Sequence, residues 1–568
     1  MNTPAERSNE LEVEALATVV SSFFERRVAG EEGKLLAQIT RILTEKVAAG
    51  SSHLAAEDLD GNFEQWKKLP AIGNEEAKLP LVYTGTGKLY FRRFYEYEKS
   101  VAFALSQRCS RESVQISSDA EQFIKASLLP MVDKQQAHAV NAVLRRDLVL
   151  LTGGPGTGKT RTIVAMLAAY FMAHPDKLIA LAAPTGKAAF RMRESVMQAL
   201  ELIELPDSVR KKILDSSKAT TLHRLLGPRI GSVDFQRNEK NTLPYDLVVV
   251  DEASMIDLPL MAKLCQSLRE DTKLVLIGDA DQLAPVQGGA VFNGLIQSYQ
   301  RNEFPEENIG EEEISSESAK RSQEKHLFSN SLVHLSKVHR RSDKSSTAKI
   351  NELCEAIKDG RADDAVTILH SDADSIAWVQ DPEDPQLDLL LRDEFSELSN
   401  SSGPELALPM LGRFRVLCAN NEGRYGVSNW NLRADGQFSQ SDTISKPLVI
   451  HSNDYALGLH NGDDGVILGQ KAYFSGEDGY REIALSRLPQ HKIGYASTIH
   501  RSQGSEFTKV AVVLPPEDSQ LLSRELLYVA ISRAKENVFF IGSEASLRAA
   551  VNRSEKQNSG ILDLMKHS

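Results

Sequence analysis

Residues 150–160 read LLTGGPGTGKT. Two leucines and Thr152 run into Gly153, Gly154, Pro155, Gly156, Thr157, Gly158, Lys159 and Thr160, which fits G-x-x-x-x-G-K-[ST]. An apolar strand, DLVLLT, precedes the loop, and a helical pattern, KTRTIVAMLAAYFMA, follows it, which is the context the motif requires. Glycines let backbone N–H groups approach phosphate with no Cβ in the way. The helix adds its positive N-terminal end. Lys159 is placed to reach the β- and γ-phosphates of ATP, and the Thr160 hydroxyl to ligate Mg²⁺. Arg161 is counted with the nucleotide-binding residues.

The second half of such a site is LVVVDEAS. An apolar strand ends in Asp251, suited to the metal shell, and Glu252, suited to deprotonate an attacking water. A kinase has no use for that second acid, so the pair favours hydrolysis. Gln282 in GDADQLAPVQGG can touch both γ-phosphate and water and report hydrolysis to a neighbouring segment. Arg340 in VHRRS and Arg533 in YVAISRAK are candidates to neutralise charge on the transferring phosphate from a second domain.

Working outward, KLIALAAPT, YDLVVVDEAS and KLVLIGDADQ are further apolar strands alternating with helical patterns. This predicts an α/β fold with parallel sheets covered on both faces. The expected division is an N-terminal docking domain over 1–128, a first motor domain over 129–330, and a second over 331–445 and 491–568. A small inserted β module falls at 446–490, where apolar and polar residues alternate between Gly and Asp turns. In the N-terminal region LVYTGTGKLYF predicts a hairpin among helices. Residues 303–326 are acidic and Ser-rich and predict a mobile insertion.

The 568 residues carry a formal net charge of -12, so any polyanion site must be a local basic channel or be shared with a partner. Cys109, Cys265, Cys354 and Cys418 lack metal spacing and predict free thiols in a reducing compartment. With no signal peptide or membrane span legible, a cytoplasmic location is expected.

The ordered set GGPGTGKT, APTGKAA, TTLHRLLG, VVVDEAS, GDADQLAPVQGG, VHRRS, STIHRSQGSEF and LYVAISRAK resembles the motifs of superfamily 1 helicases. TTLHRLLG, RFRVLCANNEGRYGVSNWN and GLHNGDDGV are similar to segments of the RecD family, the alpha subunits of exodeoxyribonuclease V (RecBCD). The resemblance runs from about residue 130 to 545, and the N-terminal 128 residues match in pattern only. It implies two RecA-like P-loop NTPase domains, an SH3-like inserted module and a mainly helical N-terminal domain.

By the same resemblance, Gln136 reads adenine, and Lys159, Thr160, Asp251, Glu252 and Gln282 form the ATPase core. Arg340 and Arg533 are arginine fingers, with Arg341 the alternative to Arg340. Gly504 and Glu506 couple nucleotide to DNA, while Thr185, Lys187, Thr221, His223, Thr498 and His500 face the strand. It further implies a 5′ to 3′ motor on single-stranded DNA that opens duplex ends, in a heterotrimer with RecB-like and RecC-like subunits. A stand-alone RecD-like helicase and a non-translocating ATP-dependent DNA switch are the rival readings. No compact acidic cluster outside the ATPase site suggests a nuclease. Tyr495 is read as core in preference to a stacking platform.

Overall fold

The computed structural model describes residues 4–28, 30–58, 63–111, 116–229, 231–283, 285, 288–300, 331–337, 345–371, 374–438, 445–454, 456–476, 479–554 and 559–566. The expected insertion at 303–326, Arg340 and Arg341 lie outside these residues. The chain forms two compact units. One holds Val13–Ala280, Ala284–Arg340 and Gln557–Ser568; the other holds Met1–Glu12, Asp281–Leu283 and Arg341–Lys556.

The N-terminal unit is built on a six-stranded sheet. Its order is Leu332–Leu335, Leu148–Gly153, Lys273–Gly278, Leu247–Val250, Ile179–Ala183 and Thr220–Thr221, with every pair parallel. The central strands are buried along their length, as the unbroken runs LVLLTG, IALAA and LVVV require when helices cover both faces. Parallel strands put their C-terminal ends on one side, which is where ligands bind in such sheets.

The expected boundary at 330/331 moves. Leu332–Leu335 falls within the expected second motor domain, but it pairs with Leu150–Gly153 and closes the edge of the first sheet. Four apolar residues identify a strand without identifying its sheet. The C-terminal tail also departs from the expected division, because the helix Ile561–Lys566 packs in the N-terminal unit, against the helix Arg92–Ser110.

The N-terminal region is mainly helical, as expected. Beside the helices Glu31–Ala48 and Arg92–Ser110 it carries a four-stranded sheet. The predicted hairpin is present, Leu81–Tyr83 against Lys88–Phe91, with Gly87 at φ 80° in its turn. Arg92–Ser110 ties this region to the motor sheet. Arg108, buried, donates to the carbonyls of Thr272 at 3.1 Å and Arg269 at 2.9 Å. Glu98, fully buried on the same helix, accepts from the Gly560 N–H at 2.9 Å and the Ser559 hydroxyl at 3.0 Å. The Gly560 site excludes a side chain, because a Cβ there would lie 2.0 Å from the Tyr90 hydroxyl.

The C-terminal unit has a five-stranded parallel sheet ordered Ile376–Val379, Ala534–Ile541, Phe507–Val513, Phe414–Cys418 and Ala496–Thr498. The inserted module is a five-stranded antiparallel sheet from Lys446 to Ile493, three residues longer than expected. Arg415, buried on the parallel sheet, pairs with Asp464 of the module at 3.3 Å and donates to the Gly494 carbonyl at 2.7 Å. Tyr495 is fully buried, with its ring 4.8 Å from that of Phe395, as the core reading expected. The four cysteines are free thiols. Among the described residues no helix is long and apolar enough to cross a membrane.

Candidate nucleotide site and strand-facing residues

The loop leaves the strand Leu148–Gly153 and enters the helix Lys159–Ala173. Gly156 and Gly158 take φ of 79° and 84°, a left-handed region that costs most side chains dearly. Gly153 is needed for space: a Cβ would lie 2.7 Å from Thr157 Oγ1 and 2.9 Å from the Leu335 carbonyl. Thr157 Oγ1 donates to the Gly154 carbonyl at 2.8 Å and braces the loop. The Lys159 ammonium donates to the carbonyls of Gly153 at 2.6 Å and Gly154 at 3.3 Å, so its charge is held over the loop. Thr160 is half-buried in the first helical turn. Arg161 donates to the Met131 carbonyl at 2.6 Å, a bracing bond between the helix and the segment ahead of Gln136.

Gln136 is buried at the start of the helix Lys134–Arg145 and forms a capping box with Asp133. Its Oε1 accepts from the Asp133 N–H at 3.3 Å, and its own N–H donates to Asp133 at 2.8 Å. Asp133 three residues ahead of Gln136 was the legible signal for this cap.

Asp251 follows the buried strand Leu247–Val250, with its N–H donating to the Ala182 carbonyl at 2.9 Å. Burial, then the neighbouring Glu252 carboxylate, pushes the Asp251 carboxyl up to about 6, and the nearby Lys159 charge opposes this. Glu252 has φ 53°, the single positive φ outside glycine among the described residues. Two adjacent half-buried carboxylates beside a phosphate loop are a donor set suited to a hard dication. Thr152 Oγ1 accepts from the Ala280 N–H at 3.3 Å and ties the phosphate loop's strand to the GDADQ segment, a link the sequence did not disclose. Gln282 itself is buried and groups with the C-terminal unit.

In that unit Arg533 is 3 % exposed. Its guanidinium donates to the carbonyls of Val529 at 3.1 Å and Ser505 at 3.2 Å and to Ser532 Oγ at 3.2 Å. The structure thus brings Arg533 against the Gly504–Glu506 turn, where Gly504 has φ 70° and Glu506 pairs with Lys535 at 3.6 Å.

Three residues expected to face the strand share a local role. Thr221 and Thr498 end their strands and Thr185 lies two residues past one; each caps the helix that follows, accepting from Arg224 at 3.2 Å, Arg501 at 3.3 Å and Ala188 at 3.1 Å. Lys187 is half-buried in the first turn after Thr185. His223 is exposed, with its ring 5.7 Å from that of Phe235. Burial pushes His500 below the usual histidine range. Thr498 and Arg501 line a cavity of about 290 Å³ with His451, Lys492 and Asn431. Arg501 bonds His451 Nε2 at 2.9 Å, and burial together with Arg501 lowers His451 to about 4. His451 carried no motif signal, and Asn431 closes the RFRVLCANNEGRYGVSNWN segment with no role assigned to it.

An AAA domain model matches residues 136–288, and a UvrD-like helicase C-terminal domain model matches residues 494–541. The chain is 36% identical over 455 residues to RecBCD enzyme subunit RecD of Mycobacterium tuberculosis, covering 76% of this chain and 73% of that one. Against RecBCD enzyme subunit RecD of Haemophilus influenzae it is 34% identical over 468 residues, covering 76% and 72%. Against the ATP-dependent RecD2 DNA helicase of Deinococcus radiodurans it is 26% identical over 507 residues, covering 85% and 59%.

Proposed function

The chain belongs to the RecD family and is an ATP-dependent DNA helicase, and from that premise we propose that it moves 5′ to 3′ along single-stranded DNA and works as a motor subunit of a RecBCD-type complex at duplex ends. The observation that carries the reading is Lys159, held over its glycine loop beside the carboxylates that follow the strand Leu247–Val250.

In this reading Gln136 contacts the adenine, and the loop N–H groups, Lys159 and Thr160 bind the phosphates. Thr160 and Asp251 hold Mg²⁺, which when bound neutralises phosphate charge. Glu252 takes the proton of the attacking water, and Gln282 orients that water and senses its loss. Arg533 and one of Arg340 or Arg341 stabilise charge on the departing phosphoryl group from the second RecA-like domain. Closure of the two domains on ATP and opening on ADP then alternate their hold on the strand. Gly504 and Glu506 lie beside Arg533 and transmit the change to Thr498 and His500, while Thr185, Lys187, Thr221 and His223 hold the strand on the first domain. RecB-like and RecC-like subunits complete a heterotrimer, with the N-terminal domain as the docking element.

Translocation on oligonucleotides blocked with streptavidin at either end tests motion and direction together. Displacement from the 3′ block alone is the expected result; displacement from the 5′ block alone reverses the polarity, and none from either favours a switch. Partners captured with the full chain from native lysate and identified by mass test the complex.

A further inference from the structure

A second cavity, of about 350 Å³, lies in the N-terminal unit away from the phosphate loop. Three separate segments line it. Arg93 and Tyr97 come from the N-terminal domain's helix Arg92–Ser110, Arg229 and Phe235 from the loop after TTLHRLLG, and Lys263 from the helix Leu258–Ser267. His223 lies at its wall, just past the C-terminal end of the edge strand Thr220–Thr221. The sheet is parallel, so this is the same side that carries the phosphate loop.

The chemistry of the lining is specific. Three rings, Tyr97, His223 and Phe235, meet three cations, Arg93, Arg229 and Lys263, in a chain whose net charge is -12. Arg93 Nε donates to the Tyr97 hydroxyl at 2.8 Å, and its guanidinium lies 5.4 Å from the ring centroid. Two carboxylates also face the cavity. Asp234 pairs with Lys263 at 2.7 Å and pins the loop to its helix, and Asp257 caps that helix by accepting from Leu260 at 2.8 Å. Lys263 balances Asp234, and Arg93 and Arg229 together exceed the one remaining carboxylate, Asp257, so the lining keeps a positive excess. The walls are fixed in advance by the Arg108 bonds to the motor sheet and by Pro228 bridging Phe235 across the loop.

Aromatic faces beside arginines, with room for a base and its sugar, are what single strands select. We propose that this cavity takes one nucleotide of single-stranded DNA, with its base against Tyr97 and Phe235 and its phosphate toward Arg93 and Arg229. The N-terminal domain then touches the strand as well as docking a partner. This rests on the DNA-motor reading and adds a subsite to it.

The test is the full chain with fluorescein-labelled dT20 and no nucleotide, read by anisotropy across salt concentrations. Tyr97→Ala should weaken binding roughly tenfold, the scale of one lost stacking contact. Arg229→Glu, on an exposed loop, should weaken binding and reduce the salt slope by about one or more. Circular dichroism and melting midpoint check each fold; if Tyr97→Ala melts early, Arg229→Glu alone decides. Affinity and slope unchanged in folded variants, with wild type binding dT20, overturn the subsite and leave the motor reading intact. Weakened binding of blunt duplex with dT20 unaffected also overturns it. Wild type that binds no dT20 overturns the motor reading itself.

Discussion

Each parallel sheet contains a strand that runs through a glycine-bearing loop into a helix: Leu148–Gly153 into Lys159–Ala173, and Phe414–Cys418 into Val427–Gly436. Both loops use left-handed glycines, Gly156 and Gly158 in the first and Gly423 in the second. They differ in where their polar groups go. In the second, the N–H groups of Val427 and Ser428 donate to the carbonyls of Asn420 at 3.1 Å and Asn421 at 2.9 Å. The Glu422 carboxylate accepts from the Ser428 hydroxyl at 3.0 Å, so the helix start already has its anion. Neither N-cap glycine, Gly158 nor Gly426, is joined by a side-chain cap, but in the first loop a lysine stands at the helix's first position. The same topology is closed on itself in one place and open to phosphate in the other.

The largest test of that contrast is at the two basic residues. Lys159→Gln should lower ATP turnover by about 10²- to 10³-fold, the scale of losing one electrostatic stabiliser in a preorganised site. Circular dichroism should be unchanged, since the bonds lost are to carbonyls at a half-exposed loop. Arg424→Gln removes an exposed pair with Glu383 at 2.7 Å and a contact 5.9 Å from the Tyr425 ring centroid, and turnover should stay within about twofold. Equal losses in the two variants would erase the distinction between the loops.

Arg533 sharpens the contrast from the other side, because its guanidinium has three partners within its own unit. Lysine keeps the charge and loses the fork. Arg533→Lys should therefore cost about 1–3 kcal/mol in urea unfolding, as buried acceptors lose donors, along with turnover. A turnover loss at unchanged stability would mean that the fork serves the nucleotide and contributes nothing to the fold. Smaller still are the caps. Thr185→Ala, Thr221→Ala and Thr498→Ala should each cost about 1 kcal/mol, while the serine variants, which keep the capping oxygen, should retain it. Melting midpoints check this. Serine variants that melt normally yet lose single-strand affinity would separate the strand-facing role from the cap.

What was legible in the sequence follows the same division. The phosphate loop could be read because each constraint acts within a few residues: a strand, glycines that exclude Cβ, a lysine and a helix. The strand ending at Asp251 was legible as an apolar run closed by carboxylates. The membership of Leu332–Leu335 was not, since pairing is a long-range choice that a four-residue apolar run leaves open. The capping role of the three threonines was present in the sequence as Thr before a helical pattern, but the DNA assignment masked it. Arg93 and Tyr97 lie in KLYFRRFYEYEKSVA, a stretch that matches the family in pattern, but nothing in it pointed to a cavity, because the groups that complete that cavity lie more than a hundred residues away.

A further effect, read through pH, concerns buried groups that face no ligand. His53 is buried, with Nδ1 3.0 Å from Ser52 Oγ and its ring 5.1 Å from that of Tyr90. Burial, then Lys88, lowers it to about 3, with Asp563 and Asp58 opposing and Lys46 reinforcing. Its contribution to stability is complete above its ordinary value of 6.5 and is lost as pH falls below that toward 3. By pH 5 the linkage amounts to about 2 kcal/mol. Glu98 works in the opposite direction. Burial raises it, so the folded unit favours its protonated form and gains stability as pH falls toward the ordinary carboxylate range. The two arms partly cancel in the wild type. Glu98→Gln can still accept from Gly560 and removes one arm; His53→Gln removes the other. The fall in melting midpoint from pH 7 to pH 5 should therefore be largest in Glu98→Gln, intermediate in the wild type and smallest in His53→Gln. Any other order would mean that these buried groups are not held apart from solvent as the Gly560 contact requires.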